Sequence, residues 1–348
     1  MIRPDEGIVR IAMFAAMATM FIVALTIPES FEDLEGGLFG PMIFAAGYFL
    51  FRALHLLLFW VASRDDPGLR RQVLRFAPPM LGGTALLLVA AELQGPAQTA
   101  VWAAALLADY GGTMLAGASG WRLRSARHFA ERHGLIIMIA LGESIVAIGV
   151  GAAAVPISWP IVLASVLGLA IAASIWWAYF DVVALVAERV LHRAQGEQRA
   201  RLARDAYSYL HLPMIAGIVL VALGMKKVLE YVGDPVNHTL AESLSLLPLA
   251  ALYGGVALYL LAHVAFRLRN LRTVNVQRVV TAVIIVALVP LAARLPALAA
   301  LGVLTAITVG LITFEAVRFA ETRDKVRHHD EVATSQLGHR QAAQHQEG

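Results

Sequence analysis

The chain has 348 residues, of which 59% are hydrophobic and only 15% charged, and its mean hydropathy is +0.68. This composition excludes an ordinary soluble domain, which is roughly 45–50% apolar and about 25% charged. The sequence contains no cysteine, which excludes disulfides, thiol catalysis and thiolate-bound zinc or iron–sulfur sites. The net charge is +3, but the basic residues lie in short loops between apolar blocks, so we expect no nucleic-acid partner.

The apolar residues form ten blocks of about 18–25 residues, the length that a helix needs to cross a ~30 Å hydrocarbon layer. We name these predicted spans first to tenth: Ile8–Ile27, Leu38–Ala62, Leu74–Glu92, Ala97–Ala118, Gly134–Val155, Trp159–Ala187, Tyr209–Met225, Leu244–Phe266, Val276–Leu295 and Pro296–Val317. Backbone groups in lipid must be satisfied within their own segment, so the blocks should be helices. We therefore predict an all-α, polytopic transmembrane bundle over residues 1–320. Residues 321–348 form a polar tail with too few apolar residues to fold.

The basic residues are distributed unequally between the two sets of loops. When each loop is counted with the entry turn of the span that follows it, 24 of the 28 Lys and Arg residues lie near the N-terminus, in the loops after the even-numbered spans or in the C-terminal tail. The opposite loops carry only Lys226, Lys227 and Arg294, and Arg52 lies within a span. By the positive-inside rule, both termini are cytoplasmic. The Arg-rich loops are expected to contact anionic lipid headgroups.

The first four spans resemble the last four in their order and loop character. The alignment pairs Gly47, Leu50 and His55 with Gly255, Leu258 and His263. Because the offset is six spans, an even number, the two sets would be parallel internal repeats, an arrangement found in some secondary transporters.

Three motifs occur in a characteristic order along the chain. They are Arg127–Gly134 (RHFAERHG) leading into Ala140–Gly149 (ALGESIVAIG), Trp176–Asp181 (WWAYFD), and Tyr207–Pro213 (YSYLHLP) followed by Gly217–Val219 (GIV). This set resembles the signature of the bacterial low temperature requirement protein A family, over essentially all of residues 1–320. The resemblance implies a multi-pass protein of the bacterial inner membrane, from a family named for a cold-growth phenotype, whose molecular activity is not established.

The beginning of the chain departs from that family. Its members usually start with a helix carrying a Glu-Leu-Phe-Phe-Asp-Leu motif, followed by a Trp-rich helix, and neither occurs here. Arg3-Pro4-Asp5-Glu6 resembles the loop that follows them. We expect either a misassigned start or a shortened member that lacks two helices.

Ionisable side chains inside the spans are the candidate functional residues. When residues in the end turns that face the loops are set aside, there are eight of them: Arg52, His55, Asp109, Glu143, Asp181, His211, His263 and Glu315. A charge at membrane depth costs roughly 2.5–3.5 kcal/mol, so each should face a partner or a water-filled cavity. Arg52, Asp109 and Glu143 lie near mid-membrane, whereas the others except His55 lie nearer the cytoplasmic side. For His263 and Glu315, snorkelling to the interface is the simpler interpretation.

The mid-membrane charges suggest a cluster. Arg52 needs a carboxylate, and Asp109 and Glu143 are the acids at comparable depth. His55 lies three residues after Arg52 on the same helical face, and we place it with Asp181 toward the cytoplasm. The cluster is either a static ion pair that fixes helix register or a polar cavity that binds a small solute or ion, or relays protons.

Three classes of function remain open on the sequence alone. The preferred one is a transporter-like protein that binds a small solute or ion at this cluster, with His211 as a further candidate. The alternatives are a membrane-embedded enzyme acting on a lipid-type substrate, with Glu143 or His55 as acid/base, and a non-transporting scaffold. No cofactor motif is present. His128 and His133 are five residues apart and point about 140° apart on a helix, so no metal site is expected.

The predicted topology can be tested with single cysteines, because the chain has none of its own. Thr239→Cys lies in a loop predicted to be outside and Gln198→Cys in one predicted to be cytoplasmic. An impermeant maleimide should label the first in intact spheroplasts and the second only after permeabilisation. The reverse pattern, or labelling of both in intact spheroplasts, would contradict the topology.

Overall fold

The computed structural model of the chain describes residues 7–34, 36–121, 123, 125–153 and 156–321. These residues form helices joined by loops, with no β-sheet among them, which confirms the predicted all-α fold. The tail predicted from residue 321 lies outside the described residues except for residue 321 itself, as do Arg122 and Arg124 of the Arg-rich loop. The chain divides into two compact units, Met1–Arg122 and Leu123–Gly348.

The first unit contains four helices that pack in chain order. They are α1 (Gly7–Leu25), α2 (Gly40–Ala62), α3 (Pro67–Ala91) and α4 (Gly95–Leu115). Helix α1 packs on α2, α2 on α3, and α3 on α4. The buried apolar cluster of this unit is small, and many large apolar side chains of α1 and α4 are exposed. Such an outward apolar surface is expected where lipid rather than water surrounds the helices.

The second unit has a larger core. Its described helices are α5 (Ala126–Ala153), α6 (Trp159–Phe180), α7 (Val183–Arg193), α8 (Gly196–Leu202), α9 (Leu210–Gly233), α10 (Leu246–Leu271), α11 (Val276–Ala287), α12 (Val289–Ala292) and α13 (Ala297–Arg318). A π-helical segment, Ala203–Tyr209, joins α8 to α9. Helix α9 packs on α10 and α5, and α13 packs on α6. The repeat predicted between α1–α4 and α9–α13 stays a prediction.

Helix lengths agree with a multi-pass membrane protein. Seven described segments are long and apolar enough to cross a membrane, and they match every predicted span except the first, fourth and ninth. The first and ninth correspond to shorter apolar helices, and the fourth to α4. The predicted sixth span runs to Ala187, whereas α6 ends at Phe180 and α7 begins at Val183. Asp181 therefore lies at a helix junction rather than inside a straight span.

Several helix starts follow directly from the sequence. Proline stands in the first turn of α2, α3, α4 and α6, where its missing N–H has no intrahelical partner to lose. The Asp66 carboxylate accepts a hydrogen bond from the Leu69 N–H at 3.1 Å and caps α3. These signals fix where the helices that carry the site begin.

Close contact between α9 and α10 depends on glycine. A Cβ atom added to Gly255 would lie 2.7 Å from the Gly217 carbonyl oxygen and 2.8 Å from the Val221 nitrogen. Such distances are shorter than any real Cβ contact, so the two backbones approach each other only because no side chain intervenes.

Gly255→Ala should therefore destabilise the second unit by about 1–3 kcal/mol, because the methyl group overpacks the α9–α10 contact. Gly254→Ala is the matched control on the same helix, since an added Cβ meets no atom within 4 Å there. The control should be neutral or gain up to about 1 kcal/mol in helix propensity. Thermal unfolding in detergent measures both, and equal effects would contradict the packing.

Candidate functional site

An ion pair joins α2 to α4 within the first unit. Arg52 Nη2 donates hydrogen bonds to both carboxylate oxygens of Asp109. The side chains of Arg52 and Asp109 are 19% and 12% exposed, respectively. Gly40 and Gly95 begin α2 and α4, so the pair lies about 12 and 14 residues along the two helices, or ~18–21 Å from their starts. Both charged groups therefore lie near the middle of the helices, where lipid cannot solvate them.

The backbone of Asp109 is held by close packing of α4 on α3. A Cβ atom on Gly83 would lie 2.9 Å from the Ala105 carbonyl oxygen and 3.1 Å from the Asp109 nitrogen. One turn further along α4, a Cβ atom on Gly112 would lie 2.1 Å from Pro79 Cβ. The absence of side chains at these two glycines lets α3 lie directly against the Asp109 turn.

A cavity of about 90 Å³, which we call the inner cavity, adjoins Asp109. Its walls include Phe44, Tyr48, Thr84, Leu87, Trp102 and Asp109. The Arg52 guanidinium carbon lies 5.9 Å from the centre of the Tyr48 ring. Within the described residues, Arg52 Nε is buried and has no hydrogen-bond acceptor. The site thus combines a carboxylate and aromatic rings around a small space, beside a partly unsatisfied guanidinium.

His55 lies on α2 near the ion pair but does not join it. Its side chain is exposed, and its ring centroid is 6.2 Å from that of Phe51 and 4.9 Å from that of Phe59. Among the described residues it makes no hydrogen bond. The predicted grouping of His55 with Arg52 therefore holds for position along the helix and not for direct contact.

The other three predicted site residues belong to the second unit. Glu143 is exposed on α5. Asp181 lies at the α6–α7 junction and lines a cavity of about 140 Å³. His211 is buried at the start of α9, where its Nε2 atom is 2.8 Å from the Tyr179 hydroxyl. The proximity of Glu143 to Arg52 stays a prediction.

The second unit also contains a buried charged network, of which His263 and Glu315 are among the candidates from the sequence, whereas Arg278 and Asn275 are not. Arg278 of α11 forms a bidentate ion pair with Glu315 of α13, with Nε–Oε1 and Nη2–Oε2 distances of 2.9 and 2.6 Å. Arg278 Nη1 lies 2.6 Å from His263 Nδ1, and the Asn275 amide donates to Glu315 at 2.7 Å. His263, which was expected to snorkel, is fully buried. These four residues tie α10, α11 and α13 together.

The cavity beside this network is lined by both signs of charge. Its ionisable walls are Asp181, Arg267, Arg278 and Glu315. Arg267 also donates a hydrogen bond to the Thr273 hydroxyl at 3.2 Å. The positive and negative charges in the wall of this cavity therefore balance. Such a wall is compatible with a purely structural role as well as with a binding site.

The signal that would have revealed the network is present in the sequence. Arg278 follows Asn275 by three residues in the first turn of the ninth span, and it was counted as a loop arginine. The predicted topology puts Arg278, His263 and Glu315 at the same side of the membrane. Pairing each acid within a span against the arginine nearest in depth would have found the contact between Arg278 and Glu315.

Comparison with known proteins identifies the family. The sequence matches the family described as bacterial low temperature requirement A protein (LtrA) over residues 1–313. The chain belongs to the LtrA family. This match confirms the resemblance carried by the three motifs, and it confirms an integral membrane protein of that type.

Among curated proteins, the chain is 24% identical over 232 residues to an uncharacterized protein of Rhizobium meliloti (strain 1021). The alignment covers 62% of this chain and 53% of the relative, so it spans about half of that protein. No solved structure matches the chain. Any activity of this LtrA protein must accordingly be argued from its own residues.

Proposed function

We propose that this LtrA protein is transporter-like and binds a small solute or ion at the Arg52–Asp109 pair. The observation that carries the proposal is the inner cavity of about 90 Å³ against the Asp109 carboxylate. A purely static ion pair would be packed on all sides, because unfilled space beside a buried group forfeits contacts. The wall of this space is mostly apolar with the Asp109 carboxylate as its charged group, which suits a small ligand that has an apolar body and a polar or charged end.

The depth of the pair supports the same function. Ionisable residues within membrane spans commonly mark substrate and ion pathways, and transporters place their binding sites near the bilayer midplane. Arg52 neutralises Asp109 when no ligand is present, so the empty site does not leave an isolated carboxylate in the membrane. Within the described residues its Nε–H has no acceptor, so the guanidinium is held to Asp109 through one nitrogen.

The enzyme alternative has less support. It would use Glu143 or His55 as acid/base, and a catalytic acid or base is normally oriented by a second polar group. Both side chains are exposed, and neither makes a hydrogen bond within the described part of the chain. The scaffold alternative predicts that no ligand binds, and the experiment below distinguishes it.

We also propose that the protein lies in the bacterial inner membrane with both termini cytoplasmic. The support is the concentration of basic residues in one set of loops. In the described part of those loops, Arg127 and Arg201 are exposed and form ion pairs with Glu131 and Glu197 on their own helices. Exposed pairs of this kind contribute little to stability, so both arginines can contact anionic headgroups.

A solute screen tests the proposed function. At least one small solute or ion should raise the unfolding temperature of the purified protein, because a ligand at 100 times its Kd adds about 2.7 kcal/mol of stability. Asp109→Asn should abolish that shift. Glu197→Gln, which removes the same charge from an exposed pair on α8, should keep it. The active solute should also accumulate in proteoliposomes that contain the wild-type protein.

A folding defect in Asp109→Asn is controlled with the double variant Arg52→Met/Asp109→Leu, which removes both charges and leaves neither unpaired. This variant should fold and fail to respond to the solute. If both variants respond like the wild type, or if no solute in a broad panel binds, the site is passive and the scaffold interpretation applies.

A further inference from the structure

A second cavity of about 790 Å³, which we call the outer cavity, opens at the end of the first unit where α2 and α4 begin. The charge distribution predicts that this end lies outside the cytoplasm. The wall residues relevant here are Phe31, Glu32, Asp33, Phe39, Glu92 and Gln98. They come from the α1–α2 connection, from the α3–α4 turn and from the first turn of α4.

The outer cavity is acidic. Three carboxylates line it, and its described lining includes no Lys, Arg or His. Asp33 accepts a hydrogen bond from the Gly40 N–H at 2.9 Å and so caps α2. Glu32 and Glu92 are exposed and form no ion pair with any other described residue. Their negative potential therefore remains available to attract a cation.

A buried amide also lines the outer cavity. Gln98 is only 3% exposed, and within the described residues its side chain has no hydrogen-bond partner. Buried side-chain amides nearly always have a partner, so one without a protein partner is suited to a ligand or water. Its carbonyl oxygen offers an acceptor to a hydroxyl group carried by a cation that is held between the carboxylates.

The aromatic rings in the wall of the outer cavity indicate which kind of cation it would bind. Phe31 and Phe39 are 45% and 42% exposed at the outer cavity. Aromatic faces together with carboxylates recognise organic ammonium ions, whereas hard inorganic cations prefer oxygen ligands alone. The composition of the wall therefore favours an alkylammonium group over a metal ion.

The inner cavity lies one helical turn deeper and also combines aromatic rings with a carboxylate. Ala91 and Gln98 line the outer cavity, and Leu87 and Trp102, four residues away on the same helices, line the inner cavity. Four residues correspond to about 6 Å. The inner cavity again offers aromatic rings, from Phe44, Tyr48 and Trp102, beside a carboxylate, that of Asp109.

A stacked aromatic pair connects the walls of the two spaces. Phe31 of the outer cavity stacks on Trp102 of the inner cavity, with ring centroids 4.9 Å apart and planes 21° from parallel. The Phe44 ring also packs against Trp102, with ring centroids 5.2 Å apart. A cation that passes from one space to the other would contact first the ring of Phe31 and then that of Trp102, so that one cation–π contact replaces the other.

We infer that the first unit takes small organic ammonium ions from its outer cavity, past the Phe31–Trp102 stack, to Asp109. This inference rests on the proposed function and names the substrate class. In the empty protein Arg52 holds Asp109. Arg52 binds both carboxylate oxygens through a single nitrogen, so an arriving ammonium group competes with Arg52 for the negative charge of the same carboxylate.

Choline binding to the purified full chain in lipid nanodiscs tests the inference. Choline should bind at least about tenfold more tightly than 3,3-dimethylbutan-1-ol, its neutral isostere, because only the charged ligand gains the carboxylate and cation–π contacts. Raising the salt concentration should weaken choline binding. Sodium chloride should not inhibit choline binding more strongly than lithium chloride does at the same ionic strength.

Variants locate the binding. Glu92→Gln should weaken choline binding by about threefold to tenfold, while Glu197→Gln leaves it unchanged. Trp102→Leu should weaken it by about tenfold, while Trp159→Leu, at an 85% exposed tryptophan of the second unit, does not. Glu92 and Trp159 are exposed, so neither substitution threatens folding.

The outcomes separate this inference from the proposed function. The inference would be overturned if choline did not bind, or if choline and its isostere bound equally well. It would also be overturned if sodium inhibited choline binding more strongly than lithium, or if Glu92→Gln and Trp102→Leu left choline binding unchanged. An anionic or neutral solute that binds the wild type and not Asp109→Asn would overturn it as well, while the proposed binding site would stand.

Discussion

A guanidinium in the middle of an apolar helix must find a counter-charge, and for Arg52 of α2 that counter-charge is Asp109 of α4. Either group alone would cost several kcal/mol at this depth. The pair therefore constrains how α2 and α4 are placed around α3. Gly83 makes the arrangement possible because it allows α4 to lie against α3 at the Asp109 turn. The cavities of the first unit exist around this constraint.

The two units use charge differently. In the second unit, Arg278, Glu315, His263 and Asn275 satisfy one another by at least five hydrogen bonds or close polar contacts. Such a saturated network fits a role in holding α10, α11 and α13 together. Both ion pairs adjoin a cavity, but within the described residues Arg52 keeps a buried N–H without an acceptor, whereas Arg278 does not. This difference is the physical reason for placing the ligand in the first unit.

Much of the fold could be predicted from the sequence, because apolar length and loop charge depend on the chain alone. All ten predicted spans have a helical counterpart. The break at Asp181 and the π-helical segment before His211 were not predicted, since both depend on how α6 and α9 pack. Depth could also be predicted: it limits the partners of Arg52 to Asp109 and Glu143, and in the structure Arg52 contacts Asp109. Direction around a helix axis could not, which is why the exposure of His55 and Glu143 and the burial of His263 were not foreseen.

The account depends on the interaction between Arg52 and Asp109 in the membrane, and a double-mutant cycle measures it most directly. Unfolding free energies would be compared for the wild type, Arg52→Met, Asp109→Leu and the double variant in lipid bicelles. Each single variant leaves a charge unpaired and should lose about 3–5 kcal/mol, whereas the double variant should be close to the wild type. If the losses of the single variants simply add in the double variant, the two side chains do not interact, and the site described around them does not exist.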